Sequence, residues 1–346
     1  MLPIKVLIPD LPQYAQDDGE FCKRELGLLS ERVRVDSRDP LPLGSLLFCY
    51  RIEDWKERLS TMPAKSVVVI LAANEYYEIS RWENLNNFKS IYAALIEFYP
   101  VRFSITQPKV AIRWILENPG ELLNRVFWGE TKRALSCWLV LRSLKLKMLV
   151  FPFPVGYTNK FVHELKSLNL LNSDTGSLFS SIVLDSFNPR HGMSFFGQKG
   201  SYARRKMIGY FAESTQIEIS QYNTYGGFTD SSSSTAYAES LLKGKFVLCP
   251  PGNKTNWTHR YIESLILGAI PVMTETTIQD WTCHDFYPLQ LQHLNKSYKK
   301  LWTILSEKSE TELTQLLDLI REHSKGKCDE ARKRLEIWCE ESARTR

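Results

Sequence analysis

What the chain lacks narrows it first. Its seven cysteines, at positions 22, 49, 137, 249, 283, 328 and 339, are odd in number and include no CxxC pair. Neither a disulfide framework nor a zinc site is expected, and the thiols read as reduced. The six histidines, at 163, 191, 259, 284, 293 and 323, never fall at metal-ligand spacing within one helix. No DxD-type pair stands at a strand end where a divalent ion would bridge a diphosphate, so neither a metal nor a cofactor is expected. No GxGxxG follows the first strand, which speaks against a dehydrogenase-type dinucleotide site. A net charge of +5 is small for 346 residues, and a nucleic-acid partner is not expected. The start, MLPIKVLIPDLP, has a short apolar run with no small-residue cleavage site after it, and reads as a first strand in place of a signal peptide.

What is present is a globular composition, 43% hydrophobic and 24% charged, over a length that suits two domains. Residues 1–156 read as an α/β domain, with strands at 4–8, 46–50, 66–72 and 101–105. Helices are expected at 91–98 and 111–117, the second stopped by Asn118-Pro119-Gly120. Alternation of this kind implies a parallel sheet. Residues 157–346 form the second domain, with the boundary near Tyr157, where the proline spacing of 151–156 suits a crossing between domains. In the second domain a strand at 193–196 leads, through Gly197 and Gly200 and a cap at Ser201, into a helix that starts with Arg204, Arg205 and Lys206. Cations there oppose the helix dipole, and either a phosphate or plain solvation compensates them. The 225–234 segment reads as a surface loop or a closing lid before a helix at 235–242. A tail helix carries the stripe Leu313, Leu316, Leu317 and Ile320, and a second, at 329–342, is expected to cross back to the first domain.

The segment 132–150, KRALSCWLVLRSLKLKMLV, is too short to span a bilayer, which takes about 20 apolar residues. Two readings fit it. One is a basic, aromatic-bearing surface that makes peripheral contact with an anionic membrane. The other is a buried helix followed by a strand.

The sharpest signal lies in 244–277, GKFVLCPPGNKTNWTHRYIESLILGAIPVMTETT. An apolar strand at 245–249 ends at Pro250-Pro251, and Gly252-Asn253 make a turn. Thr255, Asn256 and Thr258 are candidate N-caps for a helix with Ile262, Leu265, Ile266 and Ala269 on one stripe. Gly268 closes that helix and 269–273 starts the next strand, giving a right-handed parallel crossover. Its loop and helix start stand at the carboxyl edge of a sheet, where anions bind. Arg260 and Glu263, at i and i+3, are expected on one exposed face toward the ligand, the guanidinium clamping a diphosphate and the carboxylate accepting ribose hydroxyls. A surface ion pair is the alternative. Two glycosylation sequons, at Asn253 and Asn256, fall inside this loop, where a glycan would block it, so a cytoplasmic chain is expected.

The pattern KF-L-CP-G, then an Arg, a Glu three residues later and G-IPV resembles the exostosin-type glycosyltransferases. The resemblance extends upstream to Phe195-Phe196-Gly197-Gln198-Lys199-Gly200-Ser201-Tyr202-Ala203-Arg204-Arg205 and covers about residues 193–277. It implies a GT-B fold, two Rossmann-like domains facing across a cleft, with a nucleotide-diphosphate sugar held by the second. The first domain then faces a saccharide or lipid-linked acceptor. The donor-binding set is Arg260, Glu263, Lys199, Arg204, Arg205, Asn253, Thr255 and Thr258. The resemblance also implies inversion at the anomeric carbon, hence a base at the carboxyl end of a first-domain strand. The candidates are Glu75, ranked first, then Asp10 and Asp18. A non-catalytic nucleotide-sugar-binding scaffold of the same fold is the other function carried forward.

Overall fold

The computed structural model of the protein describes residues 5–11, 19–37, 39, 41, 45–49, 52–61, 68–72, 91–96, 116, 119, 150–152, 156–171, 173, 175–182, 192–197, 202–214, 217–221, 236–250, 259–273 and 298–344. These form a mixed α/β structure with two parallel sheets.

The first sheet contains β1 (Lys5–Pro9), β2 (Leu29–Val33), β3 (Ser45–Cys49), β4 (Val68–Ala72), β5 (Ile91–Ile96) and β6 (Val150–Pro152), in the order β2-β1-β3-β4-β5-β6. Every neighbouring pair is parallel. Parallel strands are covered on both faces and so read as near-continuous apolar runs, such as Val-Val-Ile-Leu-Ala in β4. Side chains alternate between the faces. Val6, Ile8, Leu46 and Phe48 join a core with Phe21 and Cys22 of α1 (Gly19–Glu25), whereas Leu7 and Leu47 are buried from the opposite side. A 3-10 turn (Ile52–Trp55) leads into α2 (Lys56–Thr61), and the Trp55 indole N–H donates to the Phe48 carbonyl at 2.9 Å.

Three sequence expectations change here. The segment expected as a helix at 91–98 is β5, paired with β4. A short run such as Ile-Tyr-Ala-Ala-Leu-Ile has no polar face, and periodicity cannot separate a buried helix from a buried strand. Phe151 and Pro152 belong to β6, not to a crossing segment. Proline is tolerated there because β6 is an edge strand. The strand β2, unread in the sequence, pairs with β1 as the exposed opposite edge and has no apolar alternation to announce it. The expectations at 101–105, 111–117 (save Leu116, which is helical and exposed), 132–149 and 225–234 lie outside the described residues.

The second sheet contains β7 (Met193–Gly197), β8 (Ile217–Gln221), β9 (Phe246–Leu248) and β10 (Ile270–Val272), in the order β10-β9-β7-β8, again all parallel. With it go α3 (Asn159–Ser167), α4 (Leu178–Ser181), α5 (Tyr202–Ser214), α6 (Ala236–Lys243), α7 (Arg260–Ile266), α8 (Tyr298–Ser306) and α9 (Glu310–Arg344). The crossover read from 244–277 is present as β9, α7 and β10. At the end of α7, Gly268 adopts φ 71°, and the Gly268 and Ala269 N–H groups return to the carbonyls of Leu265 and Ser264. This paired closure satisfies the last free carbonyls and turns the chain into β10.

The tail is one helix of 35 residues, α9, where two were expected. Ser309 and Glu312 form a capping box at its start, and only Gly326 interrupts good helix formers. Its buried stripe, Leu313, Leu317, Ile320, Ser324, Cys328, Ala331 and Leu335, runs back to α1, where the Arg332 guanidinium lies against Gly27. No helix among the described residues is long and apolar enough to cross a membrane.

Candidate functional site

From β7 the chain passes through α5 to β8 on one side, then returns through α6 to β9 on the other. That reversal makes a switch point between β7 and β9, and in open parallel sheets ligands bind beyond the carboxyl ends of the strands at such a point. Arg260, the first residue of α7, reaches into this place. Its Nη2 donates to the Phe196 carbonyl at 2.8 Å, and its guanidinium carbon lies 5.1 Å from the centre of the Phe195 ring. Gly197 ends β7 at φ +151°, and a Cβ there would come within 2.8 Å of Nη2, so glycine makes room for the arginine. Nε and Nη1 are buried and have no hydrogen-bond partner among the described residues. A buried donor left unpaired costs about 1 to 3 kcal/mol, more when charged, and the oxygens of a phosphate or carboxylate are the acceptors that suit such a cation.

Glu263, one turn on, does not share an exposed face with Arg260. It is 2% exposed. Its Oε1 accepts from the Thr158 N–H at 3.3 Å and from Thr158 Oγ1 at 3.4 Å, and its Oε2 accepts from the Tyr237 hydroxyl. Burial raises its pKa, opposed by His259, by the Tyr237 and Thr158 hydrogen bonds and by Arg260. Ribose hydroxyls have no open access to this carboxylate, which corrects the expectation drawn from the i, i+3 spacing.

Its partners explain why it is buried. Thr158 is the N-cap of α3 and accepts the Phe161 N–H through Oγ1. In a capping box the third helical residue would return a bond to the cap's own N–H, but here that residue is phenylalanine. Glu263 supplies the missing acceptor from another helix. Glu164 of α3 does the same for α6, with Oε2 accepting the Ala238 N–H at 2.8 Å. Glu25 of α1 does it for α4, accepting from the Leu178 N–H at 2.7 Å and Ser177 Oγ at 2.5 Å, and it also takes the Tyr157 hydroxyl at 2.9 Å. Burial pushes Glu164 up to about 7, against the Ala238 N–H and Lys160 and with the help of Glu263 and Glu239.

Residues 156–159 connect this network to the first sheet. The Glu20 N–H of α1 donates to Asn159 Oδ1 at 2.9 Å, and Phe21 stacks edge-on against Tyr157 with ring centres 5.3 Å apart. His259 Nδ1 lies 3.0 Å from the Gly156 carbonyl, which can only accept, so the proton is on Nδ1. Because α1 follows β1 and α7 follows β9, helix starts from both carboxyl edges meet this segment.

The other expected site residues divide as follows. Arg204, in the first turn of α5, is buried and Arg205 is exposed, and α5 leaves from the same end of β7 that Arg260 touches. Asp10 follows β1, is exposed, and its N–H extends the ladder to the Val33 carbonyl at 2.9 Å. Lys199, Asn253, Thr255, Thr258, Asp18 and Glu75 lie outside the described residues. The residue that precedes α7 in the capping place is His259, in helical geometry and without a side-chain cap bond. Burial pushes Cys249, just after β9, up to about 12, so it is not a thiolate nucleophile at neutral pH. Among the described residues, no group of three or more His, Cys, Asp or Glu side chains could hold a metal ion.

Sequence reasoning passed over Glu164, Glu25, Thr158 and Tyr237. A signal existed for the two acids: Glu164 interrupts the stripe of Phe161, Val162 and Leu165, and Glu25 lies between Phe21, Cys22 and Leu26. A carboxylate inside an apolar stripe must find donors in another element. No protein-family model matches the chain, and no curated protein matches it either.

Proposed function

We propose that the chain is a glycosyltransferase of exostosin type that takes a sugar from a nucleotide-diphosphate donor and passes it, with inversion, to a saccharide or lipid-linked acceptor. The two parallel sheets then correspond to the halves of a GT-B enzyme, the second holding the donor. The observation that carries this reading is Arg260, whose Nε–H and Nη1–H are buried and, among the described residues, unpartnered at the carboxyl end of β7. A diphosphate satisfies both donors, and the charge that a leaving nucleoside diphosphate gains is stabilised by the same guanidinium. Arg204 adds positive charge from α5. The base belongs to the opposite sheet, where Asp10 is the described candidate beside Glu75 and Asp18. Buried thiols at Cys22, Cys249 and Cys328, with the sequons of the donor loop, suit a reducing cytoplasm.

The test is hydrolysis of a panel of nucleotide-diphosphate sugars by the purified chain, with UDP and GDP binding measured alongside. Slow hydrolysis that EDTA leaves intact and Arg260→Ala removes is the expected result. If the chain binds no nucleotide, the reading fails. The second reading, a nucleotide-sugar-binding scaffold without turnover, is favoured by the engagement of both Glu263 oxygens with protein donors. Binding without hydrolysis would decide for it.

A further inference from the structure

Glu263, Glu164 and Tyr237 close a circuit. Glu263 of α7 accepts from Thr158 at the start of α3, and Glu164 of α3 accepts from Ala238 at the start of α6. Tyr237 of α6 donates back to Glu263. Each helix holds the first turn of the next or is held by it, and the third link returns to the first. We propose that Glu263 is a positioning residue in this ring of helix caps, through which α3 and α6 set how Arg260 is presented to its ligand. The proposal rests on reading Arg260 as the anion-binding group.

Three helices of this size could pack through apolar side chains alone. Buried carboxylates bring a desolvation cost, and each is satisfied in one arrangement only, which is how buried polar groups fix register. The need for outside support is greatest in α7. It has seven residues, well short of the length at which an isolated helix holds itself, and no side-chain cap of its own. Its first turn is held instead by the Glu263 bonds and by His259 Nδ1 on the Gly156 carbonyl. Arg260 lies between these two attachments, so a change at Tyr237 or Glu164, neither of which bonds to Arg260, shifts it.

The charged and titratable groups around the ring are few. Facing Glu263 are His259 and Arg260 on its own helix, Tyr237 on α6, Glu164 on α3 and Cys249 after β9, together with the Thr158 donors. Facing Glu164 are Lys160 on its own helix, Glu239 on α6 and Glu263 on α7.

Two measurements on the full chain test the ring. The first is amide hydrogen exchange without ligand, in Tyr237→Phe, Glu164→Ala and Glu164→Gln. Tyr237→Phe and Glu164→Ala are expected to speed exchange in α3, α6 and α7 together, and Glu164→Gln, which keeps an acceptor for the Ala238 N–H, to restore most of the protection. The second is titration with UDP and with 2′-deoxy-UDP. Tyr237→Phe and Glu164→Ala are expected to weaken UDP by about five- to tenfold, the scale of one hydrogen bond. Glu263→Gln is expected to leave the UDP to 2′-deoxy-UDP ratio as in the parent. Exchange that changes only in the substituted helix, with parent-like UDP affinity, overturns the ring. Collapse of the ratio in Glu263→Gln overturns the positioning role and returns the carboxylate to the ribose. If the parent binds neither nucleotide, it is the nucleotide reading that fails, and the exchange pattern alone still decides the ring.

Discussion

In both sheets the chain runs to one side of its first strand and then crosses back to the other, so β1 and β7 occupy equivalent places. Their carboxyl ends differ. Beyond β1 stands Asp10, an exposed acid, and α1 begins with Glu20 in its first turn. Beyond β7 stands Arg260, held by the Phe196 carbonyl with Nε and Nη1 unpartnered among the described residues, and Arg204 stands in the first turn of α5. On the proposed function the first edge supplies the proton acceptor and the second the anion receptor, the division of labour that transfer from a phosphorylated donor to a hydroxyl requires. The difference also teaches what sets each edge: an acid exposed to solvent at the first, a network of buried caps at the second.

The comparison is broken most severely at the acidic edge. Among Glu75→Gln, Asp10→Asn and Asp18→Asn, run in parallel, the variant that removes the base is expected to lower turnover of a nucleotide sugar by on the order of a hundredfold or more while UDP affinity stays at the parent value. Parent-like turnover in all three removes the base from this edge. At the basic edge, Arg260→Ala is expected to weaken UDP by roughly ten- to a hundredfold, the loss of one charge-assisted contact. Titration calorimetry measures it, and unchanged affinity moves the anion site elsewhere.

A substitution between the edges comes next. Gly156 lies so close to Phe21 that a Cβ would overlap the ring. Gly156→Ala forces α1 away from the connecting segment, at a cost of about 1 to 3 kcal/mol. Denaturant unfolding reads that loss directly. A midpoint at the parent value would mean that the segment and α1 move apart freely, and that the two edges are not held in register by this contact.

How much of this was legible depended on whether a feature was local. The β9-α7-β10 crossover was, because a strand-length apolar run, a Pro-Pro stop, a helical stripe and Gly268 all lie within thirty residues of one another. The strands β1, β3, β4 and β7 were too, as apolar runs. β5 was misread since six apolar residues carry no period, and α9 was read as two helices where one of 35 residues stands. The site was legible by residue type and not by role. Arg260 stands at the sheet edge its position suggested, but the exposure of Glu263 was inferred from spacing, and its burial is decided by Thr158 at the start of α3 and Tyr237 of α6, 105 and 26 residues earlier in the chain. A bond from Glu263 to Thr158 spans 105 positions, and no local pattern announces it.

The smallest expected effect sharpens the comparison by asking what the buried acids contribute to stability. Glu164 is 3% exposed, and burial raises its pKa from 4.5 to about 7. Between those values the folded chain keeps a proton that the unfolded chain has released, so the folded state binds more protons. Stability therefore falls as pH rises from 4.5 to about 7 and levels off above. Glu263, also raised by burial, contributes with the same sign. Glu164→Gln keeps a carbonyl oxygen for the Ala238 N–H and removes the charge. At pH 4.5 it should unfold with the parent, and at pH 8 it should be the more stable by roughly 2 kcal/mol, discounted from the full shift for solvent screening of the carboxylate. Urea midpoints measured across that range give the difference. A gap that stays constant with pH, or a variant that is weaker at pH 8, would mean that Glu164 is held as a charged, well-paired carboxylate and that the caps of the basic edge cost the fold nothing.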